Sequence, residues 1–258
     1  MGNLSDKLMN CCASLLLAAI ISIEAGGQQV AFNDQINDPD YLLLVSASIG
    51  DTARIVSLLK DGADIDAQTL EGATPLMLAV QYRQAPAVKL LIEAGADPDI
   101  STYFRVTPLI AAIRDQNLEI AEMLIRAGAN IDARDINGAT ALHYAALFGF
   151  YYEADMLIYY EALNDLKATD GTTPLMAAVM SGSFDIADIL IRNGSNVNST
   201  DNKGYTPLLL AAQNGDTLVM ELLLMSGADL YAVASDRYNA TAIAVRDANI
   251  WLFSYLFR

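Results

Sequence analysis

A pattern of Thr, then Pro or Ala, then Leu returns every 33 residues along most of this 258-residue chain. Its five copies are Thr74-Pro75-Leu76, Thr107-Pro108-Leu109, Thr140-Ala141-Leu142, Thr173-Pro174-Leu175 and Thr206-Pro207-Leu208. Five Gly-led triplets keep the same interval: Gly62-Ala63-Asp64, Gly95-Ala96-Asp97, Gly128-Ala129-Asn130, Gly194-Ser195-Asn196 and Gly227-Ala228-Asp229. Further blocks open at Tyr41 and Asn239, and no residue is inserted or deleted between blocks. Seven blocks in phase predict an array of stacked units rather than one compact domain.

Each block has the features of two short helices followed by a turn. Thr is a favoured helix cap because its hydroxyl accepts from free backbone N–H groups, and Pro suits the first helical position, where its missing N–H costs nothing. The first helix carries small residues such as Ala111-Ala112. The second is amphipathic, as at Ile120, Ala121 and Leu124, and it ends at a Gly suited to a left-handed cap. Asp-x-Asp or Asn-x-Asn follows, and these short side chains stabilise turns by bonding to nearby backbone.

The order T-P-L-x-x-A-A, then G-A-D-x-x-A, resembles the ankyrin repeat. The resemblance covers about residues 38–258, which we assign to one ankyrin repeat domain. It implies an all-α fold: a solenoid of stacked helix–turn–helix units with projecting β-turn or hairpin loops, in which each repeat touches only its neighbours. It also implies that partners bind at the concave face and the turn tips.

Two blocks and the C-terminal end depart from the pattern. In the fourth block Glu161 stands in place of the capping Gly and Glu153 in place of an apolar residue, so we expect a displaced or irregular second helix. Arg105 stands where other blocks have Gly, which predicts a differently shaped hairpin tip. The last helix is rich in aromatic residues, among them Trp251 and Phe257, and indicates self-association or contact with a partner.

Composition excludes several classes of function. Lys and Arg total 15 against 31 Asp and Glu, for a net charge of −16, so there is no basic surface for nucleic acid or anionic lipid. One His and two adjacent Cys, Cys11-Cys12, are too few for a disulfide framework, a Cys/His zinc site or a Cys–His nucleophile pair. We therefore predict no cofactor.

The N-terminal segment has features of an export signal. Cys11 to Ile23 form an apolar run of 13 residues, shorter than the roughly 20 that cross a bilayer, and Ala25-Gly26-Gly27 follows. We interpret residues 1–27 as a signal peptide, 28–37 as a linker, and the protein as exported, to the bacterial periplasm or the extracellular space. The alternative is a retained helix that covers the first repeat of a cytoplasmic protein.

The sequence contains no recognisable catalytic motif. His143 occupies the position at which ankyrin repeats bond to a neighbouring loop, and the acids Asp64/Asp66, Asp97/Asp99 and Asp132 recur with the turns. A carboxylate pair repeated in every unit is more typical of a scaffold than of a glycosidase. No phosphate loop, serine elbow or dinucleotide fingerprint is present. We predict a protein that is not an enzyme and that has no catalytic residue, metal site or small-molecule substrate.

Apolar and cationic residues at the family's variable positions are the candidate binding site. They are Leu70, Tyr82, Tyr103, Phe104, Arg105, Arg114, Ile136, Leu147, Phe148 and Tyr205. A row of aromatic and aliphatic residues on consecutive tips indicates a protein-binding surface, unless Tyr103 and Phe104 fold back over their own tip. The favoured function is a non-catalytic protein–protein interaction scaffold; the alternatives are a structural component of a larger cell-envelope complex and a hydrolase with an unrecognised site.

Overall fold

A computed structural model describes residues 38–235, 239 and 242–243. Within them the chain forms twelve α-helices, arranged as two per block over six blocks. The helices are α1 Pro39–Ile49, α2 Thr52–Lys60, α3 Pro75–Gln81, α4 Ala85–Glu93, α5 Pro108–Arg114, α6 Leu118–Arg126, α7 Ala141–Phe148, α8 Tyr151–Tyr159, α9 Pro174–Met180, α10 Phe184–Arg192, α11 Pro207–Asn214 and α12 Thr217–Met225. The described residues contain one isolated bridge, Val233 to Asn239, and no longer strand.

The Thr residues of the repeated triplet begin the first helices, as the sequence predicts. The hydroxyl of Thr74 accepts from the N–H of Met77 at 3.1 Å, and Thr107, Thr173 and Thr206 cap their helices in the same way. The first block differs, because Asp38, three positions before Tyr41, caps α1, and Pro39 is the first residue of the helix. Helix α1 is therefore 11 residues long, against seven or eight for the other first helices.

Packing between like helices of neighbouring blocks forms the core. First helices contact first helices (α1 with α3, α3 with α5, and onward), and second helices contact second helices. Alanines such as Ala112, Ala145 and Ala178 are fully buried and allow this close approach. The result is one continuous cluster from Leu43 to Ile243. The predicted all-α solenoid is confirmed over six blocks, while the seventh lies almost wholly outside the described residues.

Two series of hydrogen bonds join consecutive turns in the same register. In one, the second acid of a turn accepts from the backbone of the next turn: Asp66 from Asp97 N–H at 3.1 Å, and Asp99 from Asn130 N–H at 2.8 Å. In the other, hairpin tips bond through backbone alone, as in Tyr103 N–H to the Glu71 carbonyl at 3.1 Å. A Cβ at Gly171 would lie 2.6 Å from the Asn202 nitrogen, so Gly permits the close approach of successive tips there.

The expected irregularity of the fourth block is wrong. Helix α8 is a nine-residue helix like its counterparts, because Ala154 and Leu157 still supply a buried stripe and Glu153 is accommodated at 4% exposure. Glu161 takes the left-handed conformation of the missing Gly, with φ of 64°. The expected change at Arg105 is also wrong: its φ is 57°, and its N–H donates to the Thr102 carbonyl as in the other tips.

His143 joins the fourth and fifth blocks. Its Nδ1 accepts from the Thr140 N–H at 3.1 Å, and its Nε2, which therefore carries the proton, donates to the Thr172 carbonyl at 3.1 Å. The side chain is buried, and burial lowers the pKa of His143 below its usual value. Protonation would also remove the Nδ1 acceptor. The predicted structural role of His143 is thereby supported by both ring contacts.

Three predicted features lie outside the described residues: the signal peptide at 1–27, the linker at 28–37 and the aromatic C-terminal helix. Within the described part of the chain, no helix combines the length and apolar character needed to cross a membrane.

Glu161→Gly should stabilise the protein by on the order of 1 kcal/mol, because a left-handed backbone conformation is unfavourable for a residue that has a Cβ. A Cβ at the matching Gly128 or Gly194 would meet no atom within 4 Å, so removing the Cβ of Glu161 should lose no packing contact. Urea unfolding measures the effect. Ala127→Gly, at a cap residue with φ of −80°, is the matched control and should destabilise. A loss of stability in Glu161→Gly would show that its side chain, not its backbone, matters.

His143→Gln should make stability less sensitive to acid. A folded-state pKa below the unfolded value means that His143 contributes fully above about pH 6.5 and loses that contribution as the pH falls further. The stability advantage of the wild type over the variant should shrink as the pH falls below about 6.5. His143 is the one His in the chain, so the difference in stability between wild type and variant reports on His143 alone. A difference that stays constant or grows on acidification would contradict the assignment.

Candidate functional site

Exposed apolar side chains follow the first three described hairpin tips. Leu70, Tyr103 and Ile136 are 91%, 72% and 56% exposed, and they lie on consecutive tips whose backbones are hydrogen-bonded to each other. Phe104, the neighbour of Tyr103, is 65% exposed. Neither aromatic ring folds back over its tip. The tip backbone bonds are formed without these side chains, so they are available to another molecule.

The exposed ends of the first helices add to this surface. Tyr82, Leu147 and Phe148 lie in or just after the last turn of α3 and α7, and each is at least a third exposed. We define the tip face as the surface of seven exposed apolar residues: Leu70, Tyr82, Tyr103, Phe104, Ile136, Leu147 and Phe148. The structure thus leaves exposed all but one of the apolar residues that the sequence proposes for binding.

Tyr205 is the exception, and its predicted binding role is wrong. Its side chain is 9% exposed and belongs to the core cluster. The position immediately before the capping Thr points inward, as it does at Ala73, which is also buried. The backbone N–H of Tyr205 donates to Asp201, which further fixes the tip.

An aromatic network that the sequence did not indicate adjoins the tip face at Phe148. Tyr144 stacks on Phe148 with centroids 6.0 Å apart, and the Arg114 guanidinium lies 5.2 Å from the Tyr144 ring centre. The Tyr144 hydroxyl donates to Asp135 at 2.7 Å; burial first, and then this bond, raises the pKa of Tyr144 to about 12. Phe148 also lies 5.5 Å from Phe150. These contacts orient Phe148 and Arg114 before any partner arrives.

The signal for this network is a pair of substitutions. Tyr144 stands where other blocks have Leu78, Ala111, Ala177 and Leu210, and Asp135 stands where the earlier tips have Thr69 and Thr102. Each substitution is unremarkable alone. Only the fold, which places the tip of a block beside its own first helix, shows that the two residues form a bond.

Positive charge on this side of the molecule is not neutralised by ion pairs. Within residues 38–235 the ion pairs are Lys89–Glu93, Arg126–Glu122 and Arg192–Asp188, all inside second helices. Arg83, Arg105, Arg114 and Arg134 take no part in these pairs. Arg83 and Arg134 instead donate to the carbonyls of Asp115 and Lys167 in the next blocks. Four arginines therefore border the tip face, and the acids near it include Glu71 on the first tip and Asp115 beside Arg83 and Arg114.

An open cleft of about 340 Å³ lies beside this surface, between the turns of the second and third triplet-bearing blocks. Two cations, Arg105 and Arg134, and two acids, Asp99 and Asp132, line it. The acids are already acceptors in the turn series, from Asn130 N–H at 2.8 Å and Leu163 N–H at 2.9 Å. These carboxylates therefore stabilise the stacking of consecutive repeats, which is a structural role. No group of three or more metal-ligating side chains occurs among the described residues.

Comparison with known proteins identifies the architecture. Two family models match, both described as ankyrin repeats: one over residues 8–102 and 154–234, the other over 91–145. An ankyrin repeat domain from Acinetobacter baumannii is 31% identical, with a TM-score of 0.70, over 73% of this chain and 99% of that chain. The ankyrin repeat domain of Bcl-3, a member of the IκB protein family, is 25% identical with a TM-score of 0.76, over 84% of this chain and 100% of that chain.

No curated protein matches the chain. The family models together span well over half of its length and agree with the repeated triplets, the helix pairs and the turn series. Ankyrin repeats are general protein–protein interaction modules, and the family is generally non-catalytic. The chain therefore belongs to the ankyrin repeat family.

Proposed function

We propose that this protein is a non-catalytic scaffold that binds a partner protein through its tip face. The observation that carries the proposal is the exposed row of Leu70, Tyr103 and Ile136 on consecutive tips, with Phe104 beside it. Later tips carry Thr169 and Asn202 at the same position, so the fold does not demand apolar residues there. Aromatic residues in the centre of an interface commonly contribute most of its binding energy.

The charges favour a partner with an apolar centre and an acidic border. Arg105, Arg114 and Arg134 lie in the same blocks as the apolar row and take part in none of the ion pairs of the described residues, whereas Lys89, Arg126 and Arg192 of the second helices are paired. Such complementarity governs association rate and specificity more than affinity. A basic partner would be attracted by the net charge of −16, but it would meet like charges at this face.

A rival proposal is that the protein is a permanent component of a larger assembly, with the aromatic C-terminal helix as its main contact. That helix lies outside the described residues, so the proposal depends on its sequence alone. The two proposals differ in hydrodynamic behaviour: a transient binder purifies as a soluble monomer, whereas an assembly component purifies with its partners.

We further propose export, on the strength of the apolar run from Cys11 to Ile23. The ankyrin family match begins at residue 8, which favours the rival interpretation of a retained helix. N-terminal sequencing of the natural protein separates the two: cleavage near Gln28 supports export, and an intact Met1 or Gly2 contradicts it.

Tyr103→Ala and Phe104→Ala should each weaken partner binding about tenfold or more, which corresponds to about 1.4 kcal/mol, with little change in melting temperature. Affinity capture from the native source with mass spectrometry supplies the partner, and calorimetric titration measures its affinity. Tyr231→Ala is the matched control, because Tyr231 is 81% exposed and lies away from the tip face.

Two outcomes would count against the tip face. If melting temperature falls while affinity holds, the two rings stabilise the fold rather than a complex. If Tyr231→Ala weakens binding as much as Phe104→Ala, the partner does not distinguish the tip face from other exposed tyrosines.

A further inference from the structure

A second row of apolar side chains lies on the second helices of three blocks, at the start of α6, α8 and α10. Leu118, Tyr151 and Phe184 are spaced 33 residues apart and are 38%, 37% and 39% exposed. Helix α8 contacts both α6 and α10, so the three side chains form a row across adjacent helices. Tyr152, which is 72% exposed, lies edge-on to Tyr151 with ring centres 5.7 Å apart. We call these four residues the outer row.

The fold does not require large apolar residues at these positions. Other second helices begin with Thr52, Ala85 and Thr217, and they have the same nine-residue length. Tyr152 stands where the neighbouring blocks carry Glu119 and Asp185, and the same position two blocks later holds the exposed Leu218. The large apolar residues at the first helical position are therefore confined to three consecutive blocks, and exposed apolar residues in a contiguous row are typical of an interaction surface.

The border of the outer row is acidic. Glu119, Asp155 and Asp185 are exposed beside it, and Arg126 and Arg192 lie at the opposite ends of these helices and are paired with acids. Arg114 precedes Leu118 by four residues, but its guanidinium lies over the Tyr144 ring. A second copy of the chain would bring two such acidic borders together, which like-charge repulsion opposes. The border complements a basic partner, the reverse of the tip face.

The spacing of the row matches an α-helix laid across it. Adjacent packed helices are separated by about 8–10 Å, so Leu118 and Phe184 are roughly 20 Å apart across α8. A helix rises 1.5 Å per residue, so residues seven apart are separated by about 10 Å along one face. An apolar residue at every seventh position would meet each member of the row in turn.

We propose that the outer row binds a basic amphipathic helix of a partner protein, independently of the tip face. Apolar residues of that helix cover Leu118, Tyr151 and Phe184, while its Lys or Arg residues face Glu119, Asp155 and Asp185. The protein then has two interaction surfaces of opposite charge preference and joins two different partners.

The test uses the full chain and a synthetic helical peptide of about 22 residues, with Leu at every seventh position, Lys on the flanks and Ala elsewhere. One control peptide has the same composition with the Leu residues scattered, and a second has Glu in place of Lys. Fluorescence polarisation measures binding. We expect saturable binding of the first peptide and at least tenfold weaker binding of both controls.

Variants locate the site. The double variant Tyr151→Ser with Phe184→Ser should weaken binding of the Leu/Lys peptide at least tenfold, and Tyr152→Ser, at a more exposed position, should weaken it without affecting folding. The matched control, Tyr103→Ser with Phe104→Ser in the tip face, should leave it unchanged.

Three results would overturn the proposal. One is the absence of saturable binding by the Leu/Lys peptide. Another is equal binding by the scattered peptide, or by the outer-row variants, which would mean that net charge alone attracts it. The third is a self-association, seen by sedimentation, that Tyr152→Ser abolishes, because the occupant would then be a second copy of the chain.

Discussion

No repeat of this protein can bury its own apolar surface, and the rest of the structure follows from that constraint. Fully buried residues such as Leu76, Leu109 and Leu175 come from different blocks but belong to one cluster, because each first helix packs on the next. The two turn series impose the same register: Asp66 bonds to the turn after it, and each tip bonds to the tip before it. An insertion or deletion inside a block would break both series and the packing together.

The constraint also determines which positions are available for function. Packing takes the inward faces of both helices, and the turn series takes the tip backbone, which leaves the outward side chains of the tips and the first turns of the second helices. Large apolar residues occupy both sets, as at Tyr103 on one side and Tyr151 on the other, and the exposed Leu218 extends the second set to the sixth block. Their borders carry opposite charge, so the two surfaces suit different partners.

Local chemistry made most of the fold predictable. The Thr-Pro starts, the Gly stops and the Asx turns involve residues close together in sequence, and the structure agrees with them. The failures have physical causes. The 33-residue register puts the opening of the first block at Tyr41, but Asp38 caps α1 three positions earlier. Glu161 and Arg105 were expected to distort the chain, but a left-handed conformation costs only on the order of 1 kcal/mol and packing outweighs it. The hydrogen bond from Tyr144 to Asp135 occurs in one block only, so the 33-residue period could not predict it.

If stability comes from what each repeat buries against its neighbours, the fourth block should be the weakest link, since it has the charged residue Glu153 at a buried helix position and holds Glu161 in a left-handed conformation. Amide hydrogen exchange resolved along the chain tests this directly. The account predicts faster exchange in residues 150–166 than in the matching segments 117–133 and 183–199. Exchange that is slowest in residues 150–166 would contradict it.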